Sequence, residues 1–128
     1  MILLLDTATP TCRLTLVDGD WRFNDEWEAN RELGKGLLGY LENKLQANGK
    51  TWKDITGIGA FRGPGSFTGL RIGLTVLNTL ADSLHVPIVG ATGDTWQDQV
   101  TTRLQNGETD QLVMPEYGGE AHITTPRK

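Results

Sequence analysis

A glycine-rich run between two apolar segments constrains the fold of this chain more than any other feature. The run Arg62–Gly73 reads RGPGSFTGLRIG, and it joins a strand-like stretch over 55–61 to an apolar periodic stretch over 70–84. Glycines allow backbone to approach backbone closely, and the proline between them fixes its own φ. Ser66 and Thr68 are both residue types that cap helix N-termini. The pattern therefore predicts a tight turn from a strand into the N-terminus of a helix.

The composition of this turn is also compatible with anion binding, because the amide groups of a helix N-terminus can hold a phosphate. A P-loop is excluded, since no Gly-Lys-Ser or Gly-Lys-Thr follows the glycines to contact phosphates and Mg²⁺. A dinucleotide-binding fingerprint is matched only in part. The residues alone favour a structural turn and cap, and they leave an anion site open.

Length and charge restrict the class of protein. A chain of 128 residues is expected to form one domain. Its net charge is −4 and its basic residues are scattered, so the electrostatic footprint of a nucleic-acid-binding protein is absent from the sequence. Met1–Leu5 is too short for a secretion signal and lacks a basic flank, and no segment reaches transmembrane length. We expect a soluble cytoplasmic protein with no membrane partner.

Cys12 is the only cysteine, and it lies in a strand-like alternation over 12–17. A single cysteine cannot form a disulfide within the chain, which fits a reducing compartment. No neighbouring residue is identifiable as a base that would activate the thiol. We expect Cys12 to be buried or half-buried as a packing residue.

The first part of the chain predicts an antiparallel meander. Ile2–Leu5 is a continuous apolar run, typical of a central strand that is buried on both faces. The alternation over 12–17 and a second one over 21–27 are joined by Asp18-Gly19, a strong hairpin signal. Three antiparallel strands are therefore expected.

The remainder alternates helices with strands. Helices are predicted over 31–48, 68–85 and Asp94–Leu104, with strands over 55–61 and 87–90. This order gives an α/β lobe with a mixed five-stranded sheet that is antiparallel in its first three strands and parallel thereafter. It is the ribonuclease-H-like order, which both nucleases and the actin/hexokinase-type (ASKHA) nucleotide-binding lobes use.

Details of the helices and of the C-terminal region add four expectations. The first helix should end at Asn48-Gly49, and the third should be capped by Thr92 or Asp94. A short strand is possible at Leu112–Met114 in an otherwise polar tail. The core face of the first helix is predicted to comprise Gly34, Leu37, Leu38, Leu41 and Leu45.

Two features of the helices suggest a contact surface. Gly36 and Gly39 lie away from the leucine stripe of the first helix, where glycine costs about 1 kcal/mol relative to alanine. They indicate either a weak helix that packing rescues or a close approach by a partner helix. The second helix carries Ile72, Val76 and Leu80 off its core stripe, so that either the first helix or a second protein should cover them.

Two motifs together resemble the TsaB (formerly YeaZ) family. They are the opening Asp-Thr-Ala-Thr at 6–9 and the run Gly-Pro-Gly-Ser-Phe-Thr-Gly-Leu-Arg-Ile-Gly at 63–73. The residues that carry the likeness are Asp6, Thr7, Gly63, Pro64, Gly65, Ser66, Phe67, Thr68, Gly69, Arg71 and Gly73. The family's His after Arg-x in the first helix is replaced by Leu33. The resemblance extends over about residues 1–92.

Members of that family are non-catalytic partners in the synthesis of N6-threonylcarbamoyladenosine at position 37 of ANN-decoding tRNAs. They have two lobes, with nucleotide bound between lobes in the wider actin-like architecture. The resemblance thus implies an N-terminal lobe over 1–107, a polar and partly ordered tail over 108–128, and no second lobe. We expect neither an enzyme nor a bound cofactor.

The candidate catalytic residues support this expectation. His85 and His122 have no ligand-type companion at metal-binding spacing, and we expect both to be structural or surface residues. A nuclease would need carboxylates that converge on two metal ions. Asp6 ends the first strand, but Asp54 and Asp82 are not placed to join it. Asp6 is instead expected to accept hydrogen bonds from the following turn or from the glycine loop.

The resemblance also implies partners: a TsaD-like protein in a heterodimer, a TsaE-like ATPase in the larger complex, and tRNA only through that complex. The expected interface is made by Gly36, Gly39, Ile72, Val76 and Leu80, which would form a homodimer in the absence of the TsaD-like protein. Arg62 and Arg71 are both candidates for contacting the ATPase, and the alternative for Arg71 is that it caps or pairs near its own turn. The alternatives are a homodimeric ASKHA-like protein of other function or a ribonuclease-H-like metal-dependent nuclease.

Overall fold

The computed structural model describes residues 1–117, which form one five-stranded sheet flanked by three helices. The strands are β1 (Ile2–Asp6), β2 (Thr11–Asp18), β3 (Trp21–Glu28), β4 (Gly57–Phe61) and β5 (Ile88–Ala91). The helices are α1 (Leu33–Ala47), α2 (Phe67–Leu84) and α3 (Trp96–Gln105), with short 3₁₀ turns at Asn30–Glu32 and Trp52–Asp54. None of the helices in this range is long and apolar enough to cross a bilayer.

The sheet has the predicted topology. Its strand order is β3-β2-β1-β4-β5. β2 pairs antiparallel with both β1 and β3, whereas β4 pairs parallel with both β1 and β5. In the hairpin, Asp18 lies opposite Trp21, and Gly19 adopts a φ of 62° in the connection between them. The predicted meander and the mixed sheet are thus confirmed.

Both faces of the sheet are covered, which explains the continuous apolar run of β1. Leu3 and Leu5 belong to the larger core cluster, which contains the buried leucines of α1 together with Leu74 and Leu77 of α2. Leu4 lies between them on the opposite face and packs in a second cluster with Trp96 and Val100 of α3. Because successive side chains of a strand point to opposite faces, a strand sandwiched between helices is apolar at every position.

The first helix begins later than predicted and buries a narrower face. Residues 30–32 form a 3₁₀ turn, and α1 begins at Leu33, which is buried together with Leu37, Leu41 and Leu45. Leu38 is instead 52 % exposed, and Gly34 is exposed too. The core stripe repeats every four residues and is narrower than predicted. The end of the helix at Asn48-Gly49 is confirmed, with Gly49 at a φ of 71°.

The third helix begins later than predicted. The capping position is Thr95, not Thr92 or Asp94, and the helix runs from Trp96 to Gln105. Trp96 and Val100 are buried at the predicted spacing. The periodicity therefore identified the face of the helix correctly, whereas several polar residues before it were equally suitable as caps.

The predicted strand at Leu112–Met114 is not formed. Both backbone groups of Val113 are instead hydrogen-bonded to the side chain of Asn78 on α2, so they are not available for a strand ladder. The expectations for His122 and for the end of the predicted tail fall on residues outside the described range.

Candidate functional site

Two loops interlock just beyond the C-terminal ends of the central strands β1 and β4. The Ser66 amide in the glycine loop donates a hydrogen bond of 2.7 Å to the carbonyl of Ala8 in the turn after β1. The Thr7 hydroxyl in that same turn donates a hydrogen bond of 2.7 Å to the Gly69 carbonyl. The turn after β1 and the start of α2 therefore form one rigid unit, although they are far apart in the sequence.

Ser66 caps α2, as one of the two predicted candidates. Its hydroxyl accepts a hydrogen bond of 3.1 Å from the Gly69 amide, and its carbonyl accepts one of 2.9 Å from the Leu70 amide. Thr68 lies inside the first turn of the helix instead. The amides of Ser66, Gly69 and Leu70 all have partners within the chain, so the structure shows a helix cap at this turn.

The glycines of the motif are required by the close packing of α2 on the turn after β1. Thr7 is only 3 % exposed. A Cβ atom on Gly73 would overlap the Thr7 side chain, and one on Gly69 would overlap the Thr7 carbonyl oxygen. The sequence indicated a close approach of backbone to backbone in this run, but it did not identify Thr7 as the contact.

Asp6 has the predicted structural role. Its Oδ1 accepts a hydrogen bond of 2.8 Å from the Ala8 amide. Burial raises the pKa of the Asp6 carboxyl above its usual value, while the Ala8 hydrogen bond and the charge of Arg13 oppose that rise. Arg13 lies opposite Asp6 in the β1–β2 ladder. Asp6 therefore stabilises the turn that seats α2.

The other aspartates considered at the sequence level lie elsewhere. Asp54 precedes β4, whose Gly57 is opposite Ile2, so Asp54 and Asp6 lie at opposite ends of this strand pair. Asp82 is exposed near the C-terminal end of α2. Within residues 1–117, no three His, Cys, Asp or Glu side chains are grouped so that they could hold a metal ion. His85 is exposed and terminates α2 in a left-handed conformation, as expected of a structural residue.

Cys12 is buried, as predicted. Burial raises the pKa of its thiol to about 12, and the negative charges of Asp6 and Asp25 add to this effect. The thiol is therefore protonated at neutral pH, and it lacks the thiolate character that a nucleophile requires.

A cleft of about 720 Å³ lies beside the interlocked loops, between the start of α2 and the start of α1. Its lining includes Glu28 and Glu32 as well as Arg31, so both signs of charge face the same space. Ile72 forms part of its apolar floor. This mixture gives the cleft no net preference for an anionic ligand.

An apolar surface continues from this cleft along α1 and α2. Ile72, Val76 and Leu80 are half-buried and pack against the core. The Ile72 Cδ1 atom lies 3.7 Å from the place where a Cβ on Gly34 would stand. We call this surface, with the exposed Leu38, the α1–α2 face. The second face of α2 is thus covered in part by the first helix, which is one of the two predicted alternatives.

The two glycines assigned to a helix contact differ in their surroundings. A Cβ on Gly36 would stand 2.8 Å from the Cη2 atom of Trp27 on β3, so the close approach at Gly36 is made within the chain. Gly39 is exposed and has no neighbour within 4 Å of such a Cβ. Only Gly39 therefore presents a bare helix surface to the outside.

The two arginines of the motif have partners close to their own loop. The Arg71 guanidinium lies 5.1 Å from the centre of the Phe67 ring, one helical turn earlier, in a cation–π arrangement. Phe67 is 55 % exposed. The Arg62 Nε atom donates a hydrogen bond of 2.8 Å to the Met114 carbonyl. Arg71 thus pairs within its own turn, which was one of the two expectations for it.

The strand order, the β1 turn and the glycine loop together define a single ASKHA-like lobe. The family model described as "TsaD: tRNA N6-adenosine threonylcarbamoyltransferase" matches residues 27–92, a range that includes the glycine loop and all of α1 and α2. In structure the chain is similar to the YeaZ protein of Pseudomonas aeruginosa, with a TM-score of 0.68 and 28 % identity. That likeness covers 82 % of this chain and 49 % of the solved one.

Among curated proteins, the chain is similar to two named tRNA threonylcarbamoyladenosine biosynthesis protein TsaB. The Escherichia coli protein is 37 % identical over 90 residues, which are 70 % of this chain and 38 % of the relative. The Haemophilus influenzae protein is 28 % identical over 107 residues, which are 84 % of this chain and 45 % of the relative. The chain therefore belongs to the TsaB (YeaZ) family, and it spans less than half the length of these relatives.

Proposed function

We propose that this chain is a non-catalytic TsaB-type subunit in the synthesis of N6-threonylcarbamoyladenosine at position 37 of tRNA. It acts by binding a TsaD-like protein through the α1–α2 face. The names of its relatives support a role in the biosynthesis of threonylcarbamoyladenosine. The buried thiol of Cys12 and the structural hydrogen bond of Asp6 support a role in binding rather than in chemistry.

The α1–α2 face is the observation that carries this proposal. Leu38 is 52 % exposed, and Ile72, Val76 and Leu80 are only half-buried on the neighbouring helix. Apolar side chains left partly exposed on two neighbouring helices offer area that a complex can bury, and their burial removes them from water. Gly39 beside it lets a partner helix approach closely.

The remaining partners follow from the same assignment. The TsaE-like ATPase joins the complex after the heterodimer has formed. The chain carries a net charge of −4, so tRNA is bound by the assembled complex rather than by this chain alone. We assign this role to the lobe over residues 1–107, and the same face pairs two copies of the chain when no TsaD-like protein is present.

Val76→Glu tests the proposal, because it places a charge at the centre of the α1–α2 face. An unpaired buried charge is strongly unfavourable, so we expect the affinity for the TsaD-like protein to fall at least a hundredfold, as measured by calorimetry. Thr102→Glu is the matched control: it adds the same charge to an exposed position of α3, on the other side of the sheet. Both variants should melt cooperatively.

The activity assay contains threonine, bicarbonate, ATP, the TsaC-type enzyme, the TsaD-like and TsaE-like proteins and tRNA. Modification of the tRNA should require this chain, should survive Thr102→Glu and should be lost with Val76→Glu. Equal affinities of the two variants for the TsaD-like protein would overturn the proposed interface. A dimer of this chain that Val76→Glu dissociates, with no affinity for a TsaD-like protein, would instead identify a homodimeric protein of other function.

A further inference from the structure

The segment after α3 lies in a groove of the lobe. We call this segment, Thr109–Tyr117, the strap. It leaves the edge of the sheet at β5, crosses α2 and ends against the glycine loop, where the Tyr117 and Phe67 rings pack in a tilted arrangement with their centres 4.5 Å apart. The groove is thus formed by β5, one flank of α2 and the β4–α2 loop.

Asn78 on α2 holds the middle of the strap by its backbone. Its Nδ2 donates a hydrogen bond of 3.0 Å to the Val113 carbonyl, and its Oδ1 accepts one of 2.9 Å from the Val113 amide. A side-chain amide that pairs with both backbone groups of one residue recognises an extended peptide whatever its side chains are.

Further backbone contacts hold the strap on both sides of this pair. The Asp110 amide donates a hydrogen bond of 2.7 Å to the Ile88 carbonyl at the edge of the sheet. The Arg62 side chain donates to the Met114 carbonyl at 2.8 Å, and the Glu116 amide donates to the Arg62 carbonyl at 2.7 Å. Recognition through the main chain at the edge of a sheet is a recurring mode of peptide binding.

The strap is anchored by the side chains of Thr109, Asp110 and Val113, whereas the apolar side chains on either side of Val113 are exposed. The Thr109 hydroxyl accepts a hydrogen bond of 3.1 Å from the Ile88 amide. Val113 is 2 % exposed, and it fits over Gly90 so closely that a Cβ there would stand 2.6 Å from its Cγ1 atom. The Asp110 carboxylate accepts from the Gly90 amide at 2.9 Å and from Arg103 at 3.1 Å. Leu112 and Met114, on either side of Val113, are 59 % and 58 % exposed. This alternation is that of an extended peptide with one face in a groove.

We propose that this groove is a peptide-binding site for extended segments with an acidic residue three positions before an aliphatic one. In this chain the strap occupies it as an internal ligand. Arg103 binds the acidic side chain, the space over Gly90 accommodates the aliphatic one, and Asn78 pairs with the backbone of the aliphatic residue. A matching segment supplied in trans replaces the strap.

The contacts that hold the groove together do not depend on the strap. The receiving residues belong to β5, α2, α3 and the loop after β4, all of which are held by the main core. The strap contributes one buried aliphatic side chain to that core, and Asp110 is attached by charge-assisted hydrogen bonds that also hold its pKa below the usual value. An element with so few buried contacts opens before the rest of the fold does. None of these residues belongs to the α1–α2 face, so this inference is independent of the proposed function.

The test uses the full chain carrying Val113→Asp, which removes the anchor and frees the groove. A fluorescein-labelled nonapeptide with the sequence of residues 109–117 is titrated, and binding is followed by anisotropy. We expect saturable binding to this variant that is at least tenfold tighter than to the unaltered chain, whose own strap competes. The same peptide carrying Val113→Asp should bind at least tenfold more weakly.

Adding Asn78→Ala to the Val113→Asp chain should weaken binding at least tenfold, because the backbone clamp is lost. Circular dichroism melts establish that the chains compared are folded. If Val113→Asp does not fold, Asp110→Ala in the full chain removes the acidic anchor of the strap instead. Peptide binding to that variant, with and without Asn78→Ala, is then compared with binding to the unaltered chain. The proposal is overturned by a folded chain of either kind that gives no saturable binding, or by equal affinities with and without Asn78.

Discussion

The Thr7 side chain fills the space that a side chain on Gly73 would otherwise take. Thr7 directly follows β1 and Gly73 lies in α2, yet a Cβ on Gly73 would overlap the Thr7 side chain. The Thr7 hydroxyl completes the contact with its hydrogen bond to the Gly69 carbonyl, 62 positions along the chain. The Asp-Thr opening and the glycine run are therefore two halves of one packing contact.

Gly73→Ala should consequently destabilise the fold. The added methyl group overlaps a short, buried and branched side chain that has nowhere to move, and such overpacking costs about 1–3 kcal/mol. The unfolding free energy from urea titration should fall by that cost less the ~0.5–1 kcal/mol that alanine gains as the better helix former.

Gly39→Ala is the matched control, because it makes the same change on a helix surface with no neighbour within 4 Å. Alanine is the better helix former, so this variant should gain about 0.5–1 kcal/mol. A loss at Gly39 as large as that at Gly73 would show that the contact with Thr7 is not the cause.

Cys12 should resist thiol reagents in the folded chain. Its pKa of about 12 leaves very little thiolate at pH 8, and the side chain is 1 % exposed. We expect the reaction with Ellman's reagent to be at least about a thousandfold slower than in denaturant, where the pKa returns to its ordinary value. The unfolded chain in guanidinium is the control, and rapid reaction of the folded chain would contradict the assignment of Cys12 as a packing residue.

Asp6→Asn should stabilise the chain at neutral pH. Burial raises the pKa of Asp6 in the folded state above its unfolded value of 3.8, so the folded chain holds the proton more tightly. The stability from this protonation is fully present below pH 3.8 and is lost as the pH rises through the raised value. Asparagine removes that loss and still presents an oxygen to the Ala8 amide.

The measurement for Asp6 is the difference in unfolding free energy between variant and unaltered chain at pH 4 and at pH 7. The difference should grow in favour of Asp6→Asn as the pH rises, since the titration of the other carboxylates cancels. Asp94→Asn, at an exposed position before α3, is the control. A difference that stays constant with pH would show that desolvation of Asp6 does not contribute.

The features that could be predicted from the sequence are those set by local patterns. The continuous run of β1, the hairpin before Trp21 and the four-residue spacing of Trp96 and Val100 each determine an element, because periodicity records which faces are buried. The motif residues also predict where the loop turns and where α2 begins. Local rules allowed two caps for this helix, and the structure selects Ser66.

The features that were missed depend on contacts between distant residues. Gly36 looked like a site for a partner helix, but its neighbour is Trp27 of the same chain. The hydrogen bonds of Asn78 to Val113 gave no periodic signal, because they join one helix residue to an extended segment 35 positions away. Glycine patterns show that something approaches closely, and only the fold shows what it is.

Ser66→Ala and Thr68→Ala distinguish the two predicted caps energetically. The Ser66 hydroxyl accepts from the Gly69 amide, so its removal leaves a helix-end donor without a partner in the chain and should cost about 1 kcal/mol. Thr68 lies inside the first turn with an exposed side chain, where alanine is the better helix former. Its replacement should leave the unfolding free energy unchanged or raise it by up to about 0.5 kcal/mol. The unfolding free energies of both variants are measured by urea titration. A larger loss for Thr68→Ala than for Ser66→Ala would show that the helix is capped two residues later than the structure places the cap.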